Sequence, residues 1–341
     1  MARRIRGPSI RDVAKAAGVS TSTVSRVLLN EDNVSEETRA AVTRAIDEIG
    51  YVPDLGARGL RSGRTRSIGI CVADLRYPAF TDFVRAFGDV VDARHYPLLV
   101  ADAMWDADIE GLRIRELLAR RVDALVSLYP QDFAHLEMAK QVGVQVLSVP
   151  RSFEAAPPSV ARLVIEDRSA LAEMMARLRT FGHRRVHYVT RMEQGRERSD
   201  YLSQIASEHQ LELVYVPVDP NYVRFVTPGR RSINLVEPGL LASGEVTSLF
   251  LAQHIAVPVL DQVQQGGLRI PDDISVVIQG HLDWSRVFTP ALDSIESDFS
   301  RLGQLGGHAV LDLLEERNRP MQLGVNAEYV VGGSSGKART H

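Results

Sequence analysis

From residue 68 onward, apolar runs of strand length alternate with amphipathic segments of helix length, and no other feature narrows the fold as much. The runs "SIGICVADL", "YPLLVADA", "VDALVSLYP" and "VQVLSVPR" are spaced by helical patterns at about Thr81–Ala93 and Asp108–Arg120. The series restarts after "LVIEDRSA" with a helix at about Ser169–Thr180, then "RRVHYVT", a helix near 198–209 and "LELVYVPV". Such βαβα alternation predicts an α/β domain on a parallel sheet. Two similar halves in tandem predict two open-sheet lobes. Ligands of open sheets bind beyond the carboxyl ends of the strands, which here means the cleft between the lobes.

The first sixty-six residues behave differently. They carry twelve Arg or Lys against eight Asp or Glu, whereas the remainder carries 28 against 35. A basic piece on an acidic body points to a polyanion partner at one end. The length of 341 residues suggests two or three domains, and 45% apolar with 24% charged residues is ordinary for a globular protein. Cys71 is the single cysteine, so neither an intrachain disulfide nor a thiolate metal cluster is expected. It sits in an apolar run and reads as a buried small hydrophobe. The start "MARRIRGPSIRD" has charge but no apolar stretch after it, and no run approaches ~18 apolar residues. These features set the expectation of a cytoplasmic protein without a membrane partner.

Ser9 with Asp12 three residues on is a capping-box variant, and Ile10, Val13, Ala14 and Ala17 fall on one helical face. Gly18 stops that helix and permits a tight turn. Ser20 caps the next helix, in which Val24 and Val27 point one way while Ser22 and Arg26 point another. A third helix follows, with Ser35 as cap, Glu36 and Glu37 in its first turn, Val42, Ile46 and Ile49 inward, and Gly50 as stop. Two short helices joined by a glycine turn and braced by a third form a helix-turn-helix unit, whose second helix enters a major groove. The run "GVSTSTVSRVL" is otherwise hard to explain, since hydroxyl side chains are indifferent helix formers. Short hydroxyls reach phosphates or base edges without holding the helix away, and Arg26 adds a charged donor. The alternative is a small three-helix bundle with a polar, solvated face.

"PSIRDVAKAAGVSTSTVSRVL" followed by "VSEETRAAVTRAIDEIGYVPDLGARGLRSGRTRSIG" resembles the LacI/GalR family of bacterial transcription regulators. The resemblance implies base-edge contacts from Thr21, Ser22 and Arg26. It implies phosphate contacts at or near Ser9, Ser20, Thr23 and Ser25, with Asn33 also placed at the DNA. Residues 51–67 have a linker's composition, with Pro53 at the start and Arg58, Arg61, Arg64 and Arg66 making it basic. Gly56 and Gly59 each cost roughly 1 kcal/mol relative to alanine in a helix, so the segment is expected to be disordered in the free protein and helical on DNA. By resemblance, Leu60 is the wedge that opens a central base step in the minor groove, with Ala57 and Arg58 beside it. Read without the resemblance, the segment is a flexible linker.

In the body, "FGHRRV", "GLRIPDDISVV" and "TPALDSIESDFSRLGQLGGHAVLDLL" are similar to family motifs, which implies an effector-binding core akin to periplasmic sugar-binding proteins. The departures fall in the expected pocket. Tyr77, Ala79, Pro150, Glu166-Asp167, Gln253-His254 and the run Ile278 to His281 stand where the family has other residues. Carboxylates that accept from paired hydroxyls are missing at several of these positions, which argues against a neutral sugar held in the usual way. The effector residues implied are Asp74, Tyr77, Phe80, Arg151, Arg198, His254 and His281. The two arginines and two histidines set the expectation of a cationic pocket and an anionic effector, phosphorylated or carboxylated. The alternative is that the arginines pair with Asp167 or other local acids and that the pocket has decayed.

The expected architecture is thus α/β, with an N-terminal three-helix helix-turn-helix head at 1–50, a hinge helix at 51–67 and a two-lobed periplasmic-binding-protein-like core of parallel sheets flanked by helices at 68–331. The first lobe takes about 68–164 plus 290–318 and the second about 165–289 plus 319–331, and "GGSSGKARTH" reads as a flexible tail at 332–341. No nucleophile elbow, metal motif or glycine-rich phosphate loop follows a predicted strand, so no enzyme, cofactor or metal is expected. The partners expected are a double-stranded DNA operator, a second copy of the chain and a small-molecule effector. A constitutive DNA-binding protein without effector, or a small-molecule binder with a non-functional head, are the alternatives.

Overall fold

In the first fifty residues, the apolar stripes of three helices cover one another. The computed structural model describes residues 8–28, 33–51, 65–150, 157, 159–191, 195–218, 235–280, 283–315 and 322–339. The chain divides into two units, Met1–Thr65 and Arg66–His341. In the smaller unit, α1 (Ile10–Ala17), α2 (Thr21–Leu28) and α3 (Glu36–Ile49) bury Val13, Ala14, Val24, Val27, Val42 and Ala45 in one cluster. Ile46 and Ile49, expected inward, pack at its edge. Gly18 and Gly50 end α1 and α3 at φ +67° and +63°, a left-handed conformation that glycine adopts without strain. Residues 52–64 of the sequence-predicted hinge, Ala57, Arg58 and Leu60 among them, lie outside the described residues.

The larger unit begins inside the expected hinge segment. The Arg66 N–H donates to Asp123 Oδ2 at 2.9 Å, and the Asp123 N–H donates to the Ser67 carbonyl. Strands β1 (Ile68–Val72), β2 (Leu98–Asp102), β3 (Ala124–Leu128), β4 (Gln145–Val149) and β5 (Ala161–Glu166) alternate with helices α4 (Pro78–Asp92), α5 (Ala107–Ala119) and α6 (Phe133–Gln141). The second half adds α7 (Arg168–Thr180), β6 (Arg185–Arg191), α8 (Gly195–Glu208), β7 (Glu212–Val218), the short α9 (Pro238–Ala242) and β8 (Ser248–Ala252). It continues through α10 (Ala256–Gln265), β9 (Ser275–Gln279), β10 (Asp293–Ser297), α11 (Phe299–Leu314) and β11 (Gln322–Val330). Among the described residues the strand order is β2-β1-β3-β4-β5-β11-β10-β9-β8-β6-β7. Every pairing is parallel except β10 with β11.

The long strand β11 serves both halves. Its first part, Gln322 to Asn326, pairs with β5, and its last part, Ala327 to Val330, pairs with β10. This moves the lobe boundaries from those read in the sequence. β10 belongs to the second half-sheet, and the recrossing into the first half is made by α11. That helix packs on α4 through Gly303, Gly306 and Gly307; a Cβ at Gly307 would lie 2.7 Å from Val90 Cβ. Chain order reverses at β1, which lies between β2 and β3, and again at β6, between β7 and β8. Crevices form at such switch points, outside the carboxyl ends of the strands.

Residues 332–339 depart from the flexible tail expected of them. The N–H groups of Gly332, Gly333 and Ser334 all donate to Asp293 Oδ1, at 2.9, 2.7 and 3.1 Å, and Ser334 is buried. Asp293 also accepts from the Tyr329 hydroxyl at 2.5 Å. Burial works against the Asp293 carboxylate, yet these donors outweigh it and hold its pKa below the usual value. Further along, the Gly336 N–H donates to Ser275 Oγ and the Ala338 N–H to the Phe181 carbonyl. Cys71 is buried as expected, and burial pushes its thiol far up.

Candidate functional site

The head offers one continuous polar face. Ser20 Oγ accepts from the Thr23 N–H at 3.1 Å, which fixes the start of α2, and contacts the Ser22 and Thr23 hydroxyls at 2.6 and 2.9 Å. With Val24 and Val27 buried, Ser22 and Arg26 are left exposed on the opposite face and Thr21 is exposed at the helix start, while Thr23 and Ser25 are half-buried. The first turn of α2 carries no acid, so its positive end is not neutralised from within. Ser9 is exposed, and both its N–H and its hydroxyl donate to Asp12 Oδ2, at 2.8 and 2.7 Å. Asn33 is exposed in the turn after α2.

The larger unit holds a cavity of about 640 Å³ at the carboxyl ends of both half-sheets. Tyr77 follows β1, Trp105 follows β2 and Tyr129 follows β3; Gln253 and His254 follow β8, and Gln279 and Gly280 end β9. The Tyr77 ring lies 6.2 Å from Trp105 and 6.2 Å from His254, so an aromatic wall runs from the first half to the second. Trp105 and Tyr129 hold left-handed backbone angles, φ +57° and +56°. That conformation costs an L-residue about 1 kcal/mol or more and persists only where the surroundings enforce it. The enforcement is visible: the Trp105 N–H donates to the Ala73 carbonyl at 2.7 Å and the Tyr129 N–H to that of Val149 at 2.8 Å.

Of the effector residues read from the sequence, Tyr77, Arg198 and His254 line this cavity, as do Ala79, Asp167, Gln253, Gln279 and Gly280 from the departing positions. Arg151 and His281 lie outside the described residues. Two others do not line it. Asp74 is buried and held by Arg76, whose Nη2 and Nε donate to it at 2.6 and 3.0 Å. Phe80 is 0% exposed and lies behind the wall, its ring 5.0 Å from Tyr77 and 5.1 Å from Tyr129.

The cationic pocket also fails to form among the described residues. Arg198 is only 8% exposed and donates to Asp167, which accepts from the Tyr201 hydroxyl as well at 3.1 Å. Burial opposes the Arg198 charge, but the adjoining carboxylate outweighs it and raises the guanidinium pKa. Burial first, and Asp167 second, push the Tyr201 phenol up to about 12. Among the described residues the lining includes Asp82, Glu296, Asp298 and Glu328 besides, so that set carries more acids than bases. Trp105, Tyr129 and these acids were missed in the sequence reading. For Trp105, Tyr129 and Asp298 the available signal was position, since each follows a strand on the carboxyl side.

Among the described residues no group of three or more His, Cys, Asp or Glu is placed to hold a metal, and no helix is long and apolar enough to cross a membrane.

Two family models match the chain. The model for bacterial regulatory proteins of the lacI family covers residues 9–54, and that for the periplasmic binding protein-like domain covers residues 175–335. The HTH-type transcriptional regulator RegA of Clostridium acetobutylicum is 28% identical over 90% of this chain and 93% of its own. The HTH-type transcriptional regulator GntR of Escherichia coli K12 is 26% identical over 96% of this chain and 98% of its own. In fold, the chain matches the lac repressor dimer bound to operator and the anti-inducer ONPF with a TM-score of 0.77, at 22% identity over 97% of this chain and 100% of that one. A LacI-family transcriptional regulator from Silicibacter pomeroyi gives a TM-score of 0.79 at 21% identity, over 96% and 99% of the two chains.

Proposed function

We propose that this chain, which belongs to the lacI family of bacterial regulatory proteins, is a sequence-specific DNA-binding transcription regulator that represses from a pseudo-palindromic operator as a dimer. The observation that carries the reading is the exposed face of α2. Ser22 and Arg26 lie on it and Thr21 is exposed at its start, while the apolar face is used up in the head core. A solvated bundle has no need of three adjacent exposed hydroxyls at a helix start with no acid beside them. The operator in the lac repressor dimer structure, and the regulator names of the relatives, support the same reading.

In this reading Thr21, Ser22 and Arg26 read base edges, and Ser9, Ser20, Thr23, Ser25 and Asn33 position the head on phosphates. Ala57, Arg58 and Leu60 act in the minor groove. Ser9 must then surrender its bond to Asp12, or contact phosphate beside it. The chain performs no catalysis and acts in the cytoplasm, where a bacterial operator lies. A small molecule in the 640 Å³ cavity alters how the two half-sheets close, and so alters affinity for DNA by a few kcal/mol. An open cavity with an enforced aromatic wall weighs against a decayed pocket.

Selection of bound duplexes from a random library tests the reading. The expected product is a pseudo-palindrome with an easily kinked central step. Replacing Ser22 and Arg26 by alanine should lower affinity for that product by roughly 10- to 100-fold and relax its sequence. Recovery of no preferred sequence, or full preference retained by the double variant, overturns the reading.

A further inference from the structure

We propose that Ser20 decides which base atoms Ser22 reads, by fixing the direction of the Ser22 hydroxyl proton. This inference rests on the DNA reading of α2 and refines it. A hydroxyl owns one proton and two lone pairs. Ser20 Oγ already accepts from the Thr23 N–H at 3.1 Å, so one lone pair and one proton remain for its two other contacts, Ser22 Oγ at 2.6 Å and Thr23 Oγ1 at 2.9 Å. Both neighbours therefore cannot donate to it. One donates to Ser20, and the other receives the Ser20 proton.

Exposure separates the two arrangements. The neighbour that donates to Ser20 has spent its proton, while the one that receives keeps its own and needs an acceptor elsewhere. Ser22 is exposed, so water or a base edge supplies that acceptor, whereas Thr23 is half-buried. A leftover proton costs least where it is most exposed. The relay thus runs from Thr23 to Ser20 to Ser22, each O–H donating to the next, and the Ser22 proton points outward as its last link. Hydroxyls linked in this order polarise one another and strengthen the final donor. Serine in a major groove ordinarily pairs with donors and acceptors alike. Here the relay favours donation, to a keto oxygen of guanine or thymine or to a purine N7, over acceptance from the amino group of adenine or cytosine. Phosphate oxygens only accept, so the same relay leaves the Ser20 and Thr23 hydroxyls no proton to give them. Phosphate contacts at the start of α2 then fall to its backbone N–H groups.

The test uses the full-length protein and the operator from the library selection, at the base pair whose preference is lost in S22A. Base analogues delete the keto oxygen, the purine N7 or the amino group of that pair one at a time. For the wild type, loss of one acceptor should weaken binding about fivefold, and loss of the amino group should leave it within about twofold. S20T keeps the hydroxyl and should match the wild type, whereas S20A should lose the distinction at this pair alone. S20D still caps the helix but has no proton to give, so it draws the Ser22 proton inward and should make the amino group the sensitive one. The proposal is overturned by a wild type sensitive to the amino group or to none of the three, by an S20A pattern equal to the wild type, or by an operator with no pair that depends on Ser22. Equal relaxation at every pair in S20A overturns it too, since Ser20 is then a helix cap alone. A protein that selects an operator yet gives any of these results keeps its proposed function, and one that selects no operator loses both.

Discussion

The pairing of Arg198 with Asp167 makes a prediction about stability that also tests the sign of the cavity's charge. Both side chains are about nine-tenths buried, 9% and 13% exposed, and Asp167 takes a second bond from Tyr201. Removing one member of a buried pair strands the other charge, typically at about 3–5 kcal/mol, whereas replacing both by apolar groups of similar volume is close to neutral. Arg198→Met leaves the Asp167 carboxylate with only the Tyr201 hydroxyl. Asp167→Leu leaves a buried guanidinium with no carboxylate. For a unit the size of Arg66–His341, about 2 °C of melting temperature corresponds to 1 kcal/mol, so each single change should lower the body's transition by about 6–10 °C. The double variant Arg198→Met/Asp167→Leu should recover most of that loss, giving a coupling of about 3 kcal/mol in a double-mutant cycle. The assay is calorimetric or circular-dichroism melting, read on the body's transition. If Arg198 were instead an uncompensated charge awaiting an anionic ligand, Arg198→Met would stabilise the free protein. Single-variant losses that simply add in the double variant would refute the pairing.

Acid sensitivity follows from two buried histidines. Burial lowers the pKa of His183, which contacts the Thr247 and Ser275 hydroxyls, and of His187. Both stay neutral in the fold but take up protons when unfolded, so stability is full above about pH 6.5 and falls as the pH drops from there through their folded values. The melting temperature should decline between pH 7 and pH 5, less steeply in His187→Gln; a flat profile would contradict the burial. A second decline should begin near pH 4, where Asp293 takes up a proton in the unfolded chain but not yet in the fold, and run on until the pH falls through its lowered folded value. Asp293→Ala leaves three backbone N–H groups and the Tyr329 hydroxyl without their acceptor, at about 3–5 kcal/mol in total. It should also speed amide exchange at Gly332 to Ser334, and unchanged exchange there would refute the docking of this segment.

What the sequence disclosed and what it withheld divide by range of interaction. The head was legible because each of its determinants acts within four residues. Ser9 with Asp12, Ser20 with Thr23, Ser35 with Thr38 and the left-handed Gly18 and Gly50 all lie inside one turn of the feature they decide. The start of α4 was placed late, at Thr81, although Pro78 at its first position is a local signal for the true start. Positions aligned to a family found eight of the 26 residues that line the cavity, since Tyr77, Asp167, Gln253 and Gln279 keep their places when their chemistry changes. The sign of the cavity's charge was not legible in that way. It depends on Asp167 reaching Arg198 from thirty-one residues away, and on a strand register that sets Glu328 opposite Glu296. Neither is a property of any window of sequence. The terminal segment makes the same point from the other side. "GGSS" has the composition of a linker, but small residues are also what lets three successive backbone N–H groups close on one buried carboxylate. A Cβ at Gly332 would collide with the Ala291 carbonyl. Composition reports what a chain tolerates when it is free, and only the acceptor at Asp293, some forty residues upstream, decides that this stretch is held.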